Sequence, residues 1–72
     1  MNTIEGCVTH VAPTIARYRI EANGRQFIGS MDEWTFASVP LKAGVHVQFT
    51  PIYYAGANIA SHVLPTINKI NN

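Results

Sequence analysis

Leu41-Lys42-Ala43-Gly44-Val45-His46-Val47-Gln48-Phe49-Thr50 is the stretch that decides the fold. From residue 45 onward, apolar and polar side chains alternate with a period of two, which is typical of a β-strand with one buried face. Gly44 supplies a turn before the strand, and Pro51 is expected to end it because proline has no N–H to donate. The stretch therefore predicts a strand over residues 45–50 whose apolar face other strands must cover.

A β-hairpin precedes this strand. Asn23-Gly24 indicates a type I′ turn, which needs positive φ at both central residues, and it follows a strand predicted over residues 15–22. A two-residue turn predicts these pairs on the inward face: Ala22 with Arg25, Ile20 with Phe27, Tyr18 with Gly29, and Ala16 with Met31. The outward face then carries Arg17 and Arg19, and a register slip of one residue would bury both guanidinium groups.

The rest of the chain predicts three further elements. Residues 3–11 alternate as a first strand, with a bulge or bend at Gly6. Ser30 and the acidic pair Asp32-Glu33 indicate the start of a short helix within residues 31–39, and a last strand follows over residues 57–64. The chain is expected to be all-β: one domain over residues 1–65, folded as a five-stranded antiparallel OB-like barrel with a short helical turn between strands 3 and 4. Residues 66–72 are expected to fray.

The composition limits the classes of protein to which the chain can belong. Hydrophobic residues make up 47% and charged residues 12% of the 72 residues, so the chain is not intrinsically disordered. No apolar run is long enough for a transmembrane helix, and the N-terminus lacks the pattern of a signal peptide. A single cysteine, Cys7, rules out an internal disulfide. We therefore expect a cytoplasmic protein with no membrane partner. A net charge of +1 argues against a strongly basic binder of duplex DNA.

Three parts of the chain resemble a known family. They are Leu41-Lys42-Ala43-Gly44 followed by Val47-x-Phe49, Gly6-Cys7-Val8-Thr9 and, more loosely, Gly56, Ala60 and Val63. Together they resemble the cold-shock domain, one of the smallest OB-fold families. The resemblance implies binding of single-stranded RNA or DNA, with bases stacked on aromatic residues of strands 2 and 3. Arg17 and Arg19 stand where the family has outward phenylalanines, Phe27 is retained, and His10 lies near the position of the family's tryptophan.

Basic and aromatic side chains mark the candidate binding residues. Three of the five Lys and Arg residues lie on the predicted hairpin, where guanidinium groups on a strand face can contact phosphates and stack on bases. The alternative is a solvated strand face that keeps the chain soluble. Two adjacent tyrosines are expected in a loop between the last two strands, with at least one exposed. The candidate nucleic-acid-binding residues are Arg17, Arg19, Arg25, Phe27, Lys42, Tyr53, Tyr54 and His10.

The sequence gives little support for a metal site or for catalysis. The three histidines lack the spacing of a local ligand pair and only one cysteine is available, so no metal site is expected. Asp32 and Glu33 suit a helix start better than an acid–base pair, and no phosphate-binding glycine loop or nucleophile motif is present. Trp34 and Phe36 are expected to plug one end of the barrel. The chain is predicted not to be an enzyme and to need no cofactor.

Two functions remain open. The first is binding of single-stranded RNA or DNA through Arg17 and Arg19, with Tyr53 or Tyr54 as a supporting platform and an affinity that falls with salt. The second is a non-catalytic protein-interaction barrel that acts as a homodimer or other homo-oligomer, an adaptor or a small inhibitor. The low charge and the exposed tyrosines favour this second function.

Overall fold

The computed structural model describes residues 2–36 and 38–66. Five strands close into a barrel in the order β1-β2-β3-β5-β4. The strands are β1 (Ile4–Ala12), β2 (Arg17–Ala22), β3 (Arg25–Ser30), β4 (His46–Tyr54) and β5 (Ala57–Pro65). In the described residues the helical segments are two 3₁₀ turns, Pro13–Ile15 and Met31–Glu33. The all-β, OB-like barrel with a helical turn between strands 3 and 4 is thus confirmed.

One detail of the predicted barrel is wrong, because the strands are not all antiparallel. β3 and β5 pair in parallel at Ile28 and Ile59, while the other neighbours are antiparallel. The reason is geometric: strand directions cannot alternate around a closed ring of five, so one neighbouring pair must run the same way.

The hairpin of β2 and β3 has the predicted turn and register. Asn23 and Gly24 have φ of 55° and 76°, as a type I′ turn requires. The register pairs Tyr18 with Gly29, Ile20 with Phe27 and Ala22 with Arg25. Arg17 and Arg19 therefore lie on the exposed face of β2, as the sequence predicts.

The bulge of β1 lies elsewhere than predicted. Gly6 stays in regular register with Val47, and the register shift falls between Val8 and His10, where β1 advances two residues for one of β2. Gly6 is needed for close packing instead, because a Cβ there would lie 2.6 Å from the carbonyl oxygen of Glu21. The bulge reverses the alternation of β1, so His10 pairs with Arg19 on the outer surface.

The β4–β5 hairpin is longer and its turn tighter than predicted. β4 continues through Pro51, which pairs with Ala60; the ladder with β1 ends at Phe49, and proline is tolerated where a strand has one free edge. The strands meet at Ala55-Gly56, with φ of 53° and 80°. Tyr53 and Tyr54 are therefore the last residues of β4 rather than part of a loop.

Two further expectations concern the segment after β3 and the end of the chain. The helix predicted within residues 31–39 is the single turn Met31–Glu33, which the Ser30 hydroxyl caps by accepting a hydrogen bond from the Asp32 N–H at 3.3 Å. Of the residues 66–72 that are expected to fray, the structure describes Thr66, whose N–H donates to the His46 carbonyl at 2.9 Å. Residues 67–72 lie outside the described part of the chain.

The core fills the barrel with residues that face inward from all five strands. Its buried members are Val8, Tyr18, Ile20, Ala22, Phe27, Val47, Phe49, Ala60 and Val63. Trp34 packs against this core at one end of the barrel, edge-on to Tyr18 with ring centroids 5.8 Å apart. The indole N–H donates to the Val39 carbonyl at 2.9 Å, and Phe36 lies edge-on to the same indole at 5.7 Å. Trp34 closes this end as predicted.

Candidate functional site

One row of residues crosses the outer surface of all five strands. Ladder pairs join His10 to Arg19, Arg19 to Ile28, Ile28 to Ile59, and Ile59 to Ile52. Directly paired residues point to the same face of a sheet, and four of the five are exposed, with Ile59 partly buried. We call this line of five residues the outer row. It is basic on β1 and β2 and apolar on β3, β5 and β4.

An open groove of about 290 Å³ surrounds the basic end of the outer row. We call it the arginine groove. It is lined by His10, Ile15, Arg17, Tyr18, Arg19 and Ile28. Ile15 is 64% exposed and Ile28 39% exposed, so apolar surface lies open to solvent between three side chains that can donate hydrogen bonds to an anion.

Local hydrogen bonds position Arg17 in the arginine groove. The guanidinium donates from Nη1 to the carbonyl oxygens of Ile15 at 3.4 Å and Ala16 at 3.3 Å. Ala16 has a left-handed conformation, with φ of 55°, and its N–H closes the 3₁₀ turn by donating to the Pro13 carbonyl at 3.1 Å. The turn thus fixes the rim of the groove and holds Arg17 against it.

The sequence predicts that Lys42 extends the basic region if its loop lies near the β2–β3 hairpin. Lys42 and His10 line the same shallow cavity of about 310 Å³. The loop is held against β1 by two backbone hydrogen bonds, from the Gly44 N–H to the Val8 carbonyl at 2.8 Å and from the Val8 N–H to the Val45 carbonyl at 2.9 Å. Lys42 therefore lies beside the arginine groove, on the far side of His10.

Arg25 and Tyr53 lie in a different place from Arg17 and Arg19. They line a cavity of about 480 Å³ at the end of the barrel formed by the β2–β3 and β4–β5 turns. Arg25 follows the Asn23-Gly24 turn, whereas Arg17 pairs with Ser30 at the other end of the hairpin. The predicted site residues therefore do not form one surface.

The side chains of Tyr53 and Tyr54 point to opposite faces, because the side chains of β4 alternate between faces up to its last residue. Tyr54 shares the outer face with Ile52 by alternation, while the cavity at the end of the barrel is lined by Tyr53 together with Ile52 and not by Tyr54. Both rings are 73% exposed. Tyr54 is thus the tyrosine on the same outer face as the arginine groove.

Phe27 is predicted from the sequence as a nucleic-acid-binding residue, and its position in the structure contradicts that prediction. Its side chain is 5% exposed and its ring packs on Phe49 with centroids 5.0 Å apart. The register of the hairpin places Phe27 opposite Ile20 on the inward face, so the ring belongs to the core and offers no outer platform for bases.

Tyr18 forms the floor of the arginine groove as a neutral group. Burial raises its pKa to about 12, and the negative charge of Glu33 adds to the shift. The hydroxyl therefore keeps its proton at neutral pH, and the positive charge of the groove comes from its arginines.

Ile15 and Ile28 line the arginine groove, but they are not among the candidate binding residues predicted from the sequence. Ile15 is expected in strand 2 but lies in the first 3₁₀ turn; Pro13, which favours the first position of a helical turn, is the signal that could have found it. Ile28 is predicted on the arginine face, but a single exposed isoleucine is common on protein surfaces, and only the fold brings it into one groove with the exposed Ile15.

The described residues contain no cluster of three His, Cys, Asp or Glu side chains able to hold a metal ion. Within residues 2–36 and 38–66, no helix has the length and apolar character needed to cross a bilayer. Comparison of the chain with protein-family models, curated proteins and solved structures gives no match.

Proposed function

We propose that this protein binds single-stranded nucleic acid, RNA or DNA, across its outer row. The observation that carries the proposal is the arginine groove, in which His10, Arg17 and Arg19 surround the exposed apolar side chains of Ile15 and Ile28. The basic side chains can donate hydrogen bonds to phosphates, and the exposed isoleucines can contact unstacked bases. The groove therefore offers both kinds of contact within one open site.

The rest of the outer row continues this pattern toward β4. Guanidinium planes stack on bases, and Ile28, Ile59 and Ile52 add an apolar strip on which further bases can lie. Neighbouring strands are about 4.8 Å apart, so the row follows a path of about 19 Å around the surface of the closed barrel. This length fits the lower end of OB-fold sites, about four nucleotides. Tyr54 extends the same face with an exposed ring.

The test is a titration of fluorescently labelled single-stranded RNA and DNA, followed by anisotropy at several salt concentrations. We expect saturable binding that weakens with salt, because each phosphate contact releases counterions. Replacing both groove arginines, Arg17→Ala with Arg19→Ala, should remove about two contacts and reduce the slope of log K against log salt by about 1.4.

Arg25→Gln is the matched control, because it removes a positive charge from the same hairpin outside the arginine groove. It should leave the salt slope close to that of the unchanged protein. Equal losses from the groove and control variants would indicate a general charge effect. Unchanged affinity of the Arg17/Arg19 double variant at low salt would refute the proposal.

The second candidate function, protein interaction, has a specific observation in its favour. Among the described residues, six large apolar side chains are exposed, and four of them lie on β4 and β5: Ile52, Tyr53, Tyr54 and Leu64. Exposed tyrosine and aliphatic side chains are typical of the centres of protein interfaces. A partner protein or a second copy of the chain would cover them.

A further inference from the structure

The two ends of the barrel are built differently. At one end Trp34 packs on Tyr18 and closes the core. At the other end, between the β2–β3 and β4–β5 turns, a cavity of about 480 Å³ opens, and Ile52 of the outer row is one of its lining residues. We call this cavity the barrel mouth. Its volume lies within the range of small-molecule sites, about 300 to 1,000 Å³.

The floor of the barrel mouth is apolar. Ile4, Ala22, Phe27 and Pro51 form it, and Ala22 and Phe27 are only 3% and 5% exposed. Phe27 is backed by Phe49, with ring centroids 5.0 Å apart. The floor is therefore a fixed surface of ring and methyl groups, which a planar apolar ligand would cover at little cost in side-chain entropy.

The rim of the barrel mouth is polar and carries positive charge. Asn23 and Arg25 come from the β2–β3 turn, while Tyr53 and Asn58 are paired across β4 and β5. Arg25 is the single charged side chain among the described residues that line the cavity. A rim that carries one guanidinium, two amides and a phenol matches one compact anionic group better than a cation or a long polyanion.

We propose that the barrel mouth binds a small planar anion, an aromatic ring that carries a carboxylate or a phosphate. The ring lies over the partly exposed Ile4 and Pro51 of the floor, and the anionic group accepts hydrogen bonds from Arg25 and the rim amides of Asn23 and Asn58. This site goes beyond the proposed function. It shares no lining residue with the arginine groove, and Ile52 is the one member of the outer row that also lines it, so loss of anion binding at Arg25 and loss of nucleic-acid binding at Arg17 and Arg19 can be told apart.

The experiment uses the whole chain labelled with ¹⁵N and four probes, namely naphthoate, naphthyl phosphate, the neutral isostere naphthamide, and acetate. Amide chemical shifts report where each probe binds. We expect naphthoate or naphthyl phosphate to bind saturably with a Kd of about 1 mM or tighter. The shifts should be confined to the two turns and to Arg25, Tyr53 and Asn58. Acetate, which lacks the ring, should bind far more weakly.

Two variants test the role of charge. Arg25→Gln should weaken the binding of the aromatic anion about tenfold, the loss expected for one charge-assisted hydrogen bond, and should leave naphthamide unaffected. Arg19→Gln, in the arginine groove, should change neither. A preference for the carboxylate or for the phosphate identifies the natural anionic group. Equal binding of naphthamide and naphthoate, shifts centred on the arginine groove, or no saturation in the millimolar range would overturn the proposal.

Discussion

At the scale of single residues, Tyr18 links the core, the groove and the closed end of the barrel. Its ring lies over Gly29, its partner on β3. A Cβ at residue 29 would meet the Tyr18 ring, with Cε2 only 2.7 Å away. Glycine therefore makes room for the aromatic ring, and the ring in turn supports Trp34 at 5.8 Å. One small residue thus determines where the largest side chains of the barrel pack.

The buried hydroxyl of Tyr18 should make the protein less stable at alkaline pH. Burial and the negative charge of Glu33 raise its pKa to about 12 from the ordinary value of 10.0. Below pH 10 the phenol is neutral in both the folded and the unfolded chain and contributes no pH dependence. Between pH 10 and 12 the unfolded chain releases the proton while the folded chain keeps it. The free energy of unfolding should therefore fall by an amount on the order of 2 kcal/mol.

Urea unfolding of the protein and of Tyr18→Phe, each measured from pH 8 upward, checks this prediction. The phenylalanine variant lacks the titrating group, so the difference between the two pH profiles isolates Tyr18 from the other groups of the chain. Parallel profiles would mean that the hydroxyl is accessible to solvent in the folded state.

At the scale of elements, the two hairpin turns share one backbone geometry but differ in sequence. Asn23-Gly24 has φ of 55° and 76°, and Ala55-Gly56 has φ of 53° and 80°. Asparagine tolerates the left-handed region better than alanine. Ala55 is therefore a strained choice at the position that Asn23 occupies in the first turn.

This comparison predicts a pair of opposite effects on stability. Ala55→Asn should raise the free energy of unfolding by about 0.5 to 1 kcal/mol, and Asn23→Ala should lower it by a similar amount. Chemical denaturation with an unchanged m-value checks both variants. A loss of stability in Ala55→Asn would show that tertiary contacts of Ala55, rather than its backbone, determine the choice of residue.

The bulges show why element boundaries were harder to predict than element types. A bulge on β1 moves His10 to the outer surface. A second register shift between β4 and β5 coincides with His62, whose φ is 53°. Neither position carries the glycine that would have marked it in the sequence, and His62 is one of the residue types that tolerate positive φ. The need to bend strands into a ring created these bulges.

At the scale of the whole molecule, the assembly state separates the two candidate functions. The arginine groove is complete within one chain, so we expect a monomer in sedimentation velocity at micromolar concentration. An interface formed by the exposed residues of β4 and β5 would instead give a dimer that persists at high salt, because apolar contacts are not screened by ions.

The variant Ile52→Gln with Tyr54→Gln identifies the surface if a dimer is observed. The protein-interaction function would be favoured if this double substitution dissociates the dimer and if Tyr54 is protected from chemical modification in the unsubstituted dimer. A dimer that the substitution leaves intact would place the interface elsewhere and would leave nucleic-acid binding as the better-supported function.

The sequence by itself determined the strands, the β2–β3 hairpin and the inward and outward faces of that hairpin. These properties depend on neighbours in the chain: the period-two alternation that ends at Phe49, the positive φ that Asn23-Gly24 accepts, and the cost of burying Arg17 and Arg19. The outward direction of the arginines could therefore be derived from the sequence. For Phe27 the hairpin register favoured the core and the family resemblance favoured a binding role, and the structure decided for the core.

Only the tertiary structure decided which outward residues meet. The parallel pair of Ile28 and Ile59 exists because a ring of five strands must contain one. That closure aligns His10 and Arg19 with three isoleucines from three different strands. It also places Arg25 at the open end of the barrel rather than beside Arg17. Such contacts join residues far apart in the chain through strand closure and bulges, which no local pattern of apolar and polar residues specifies.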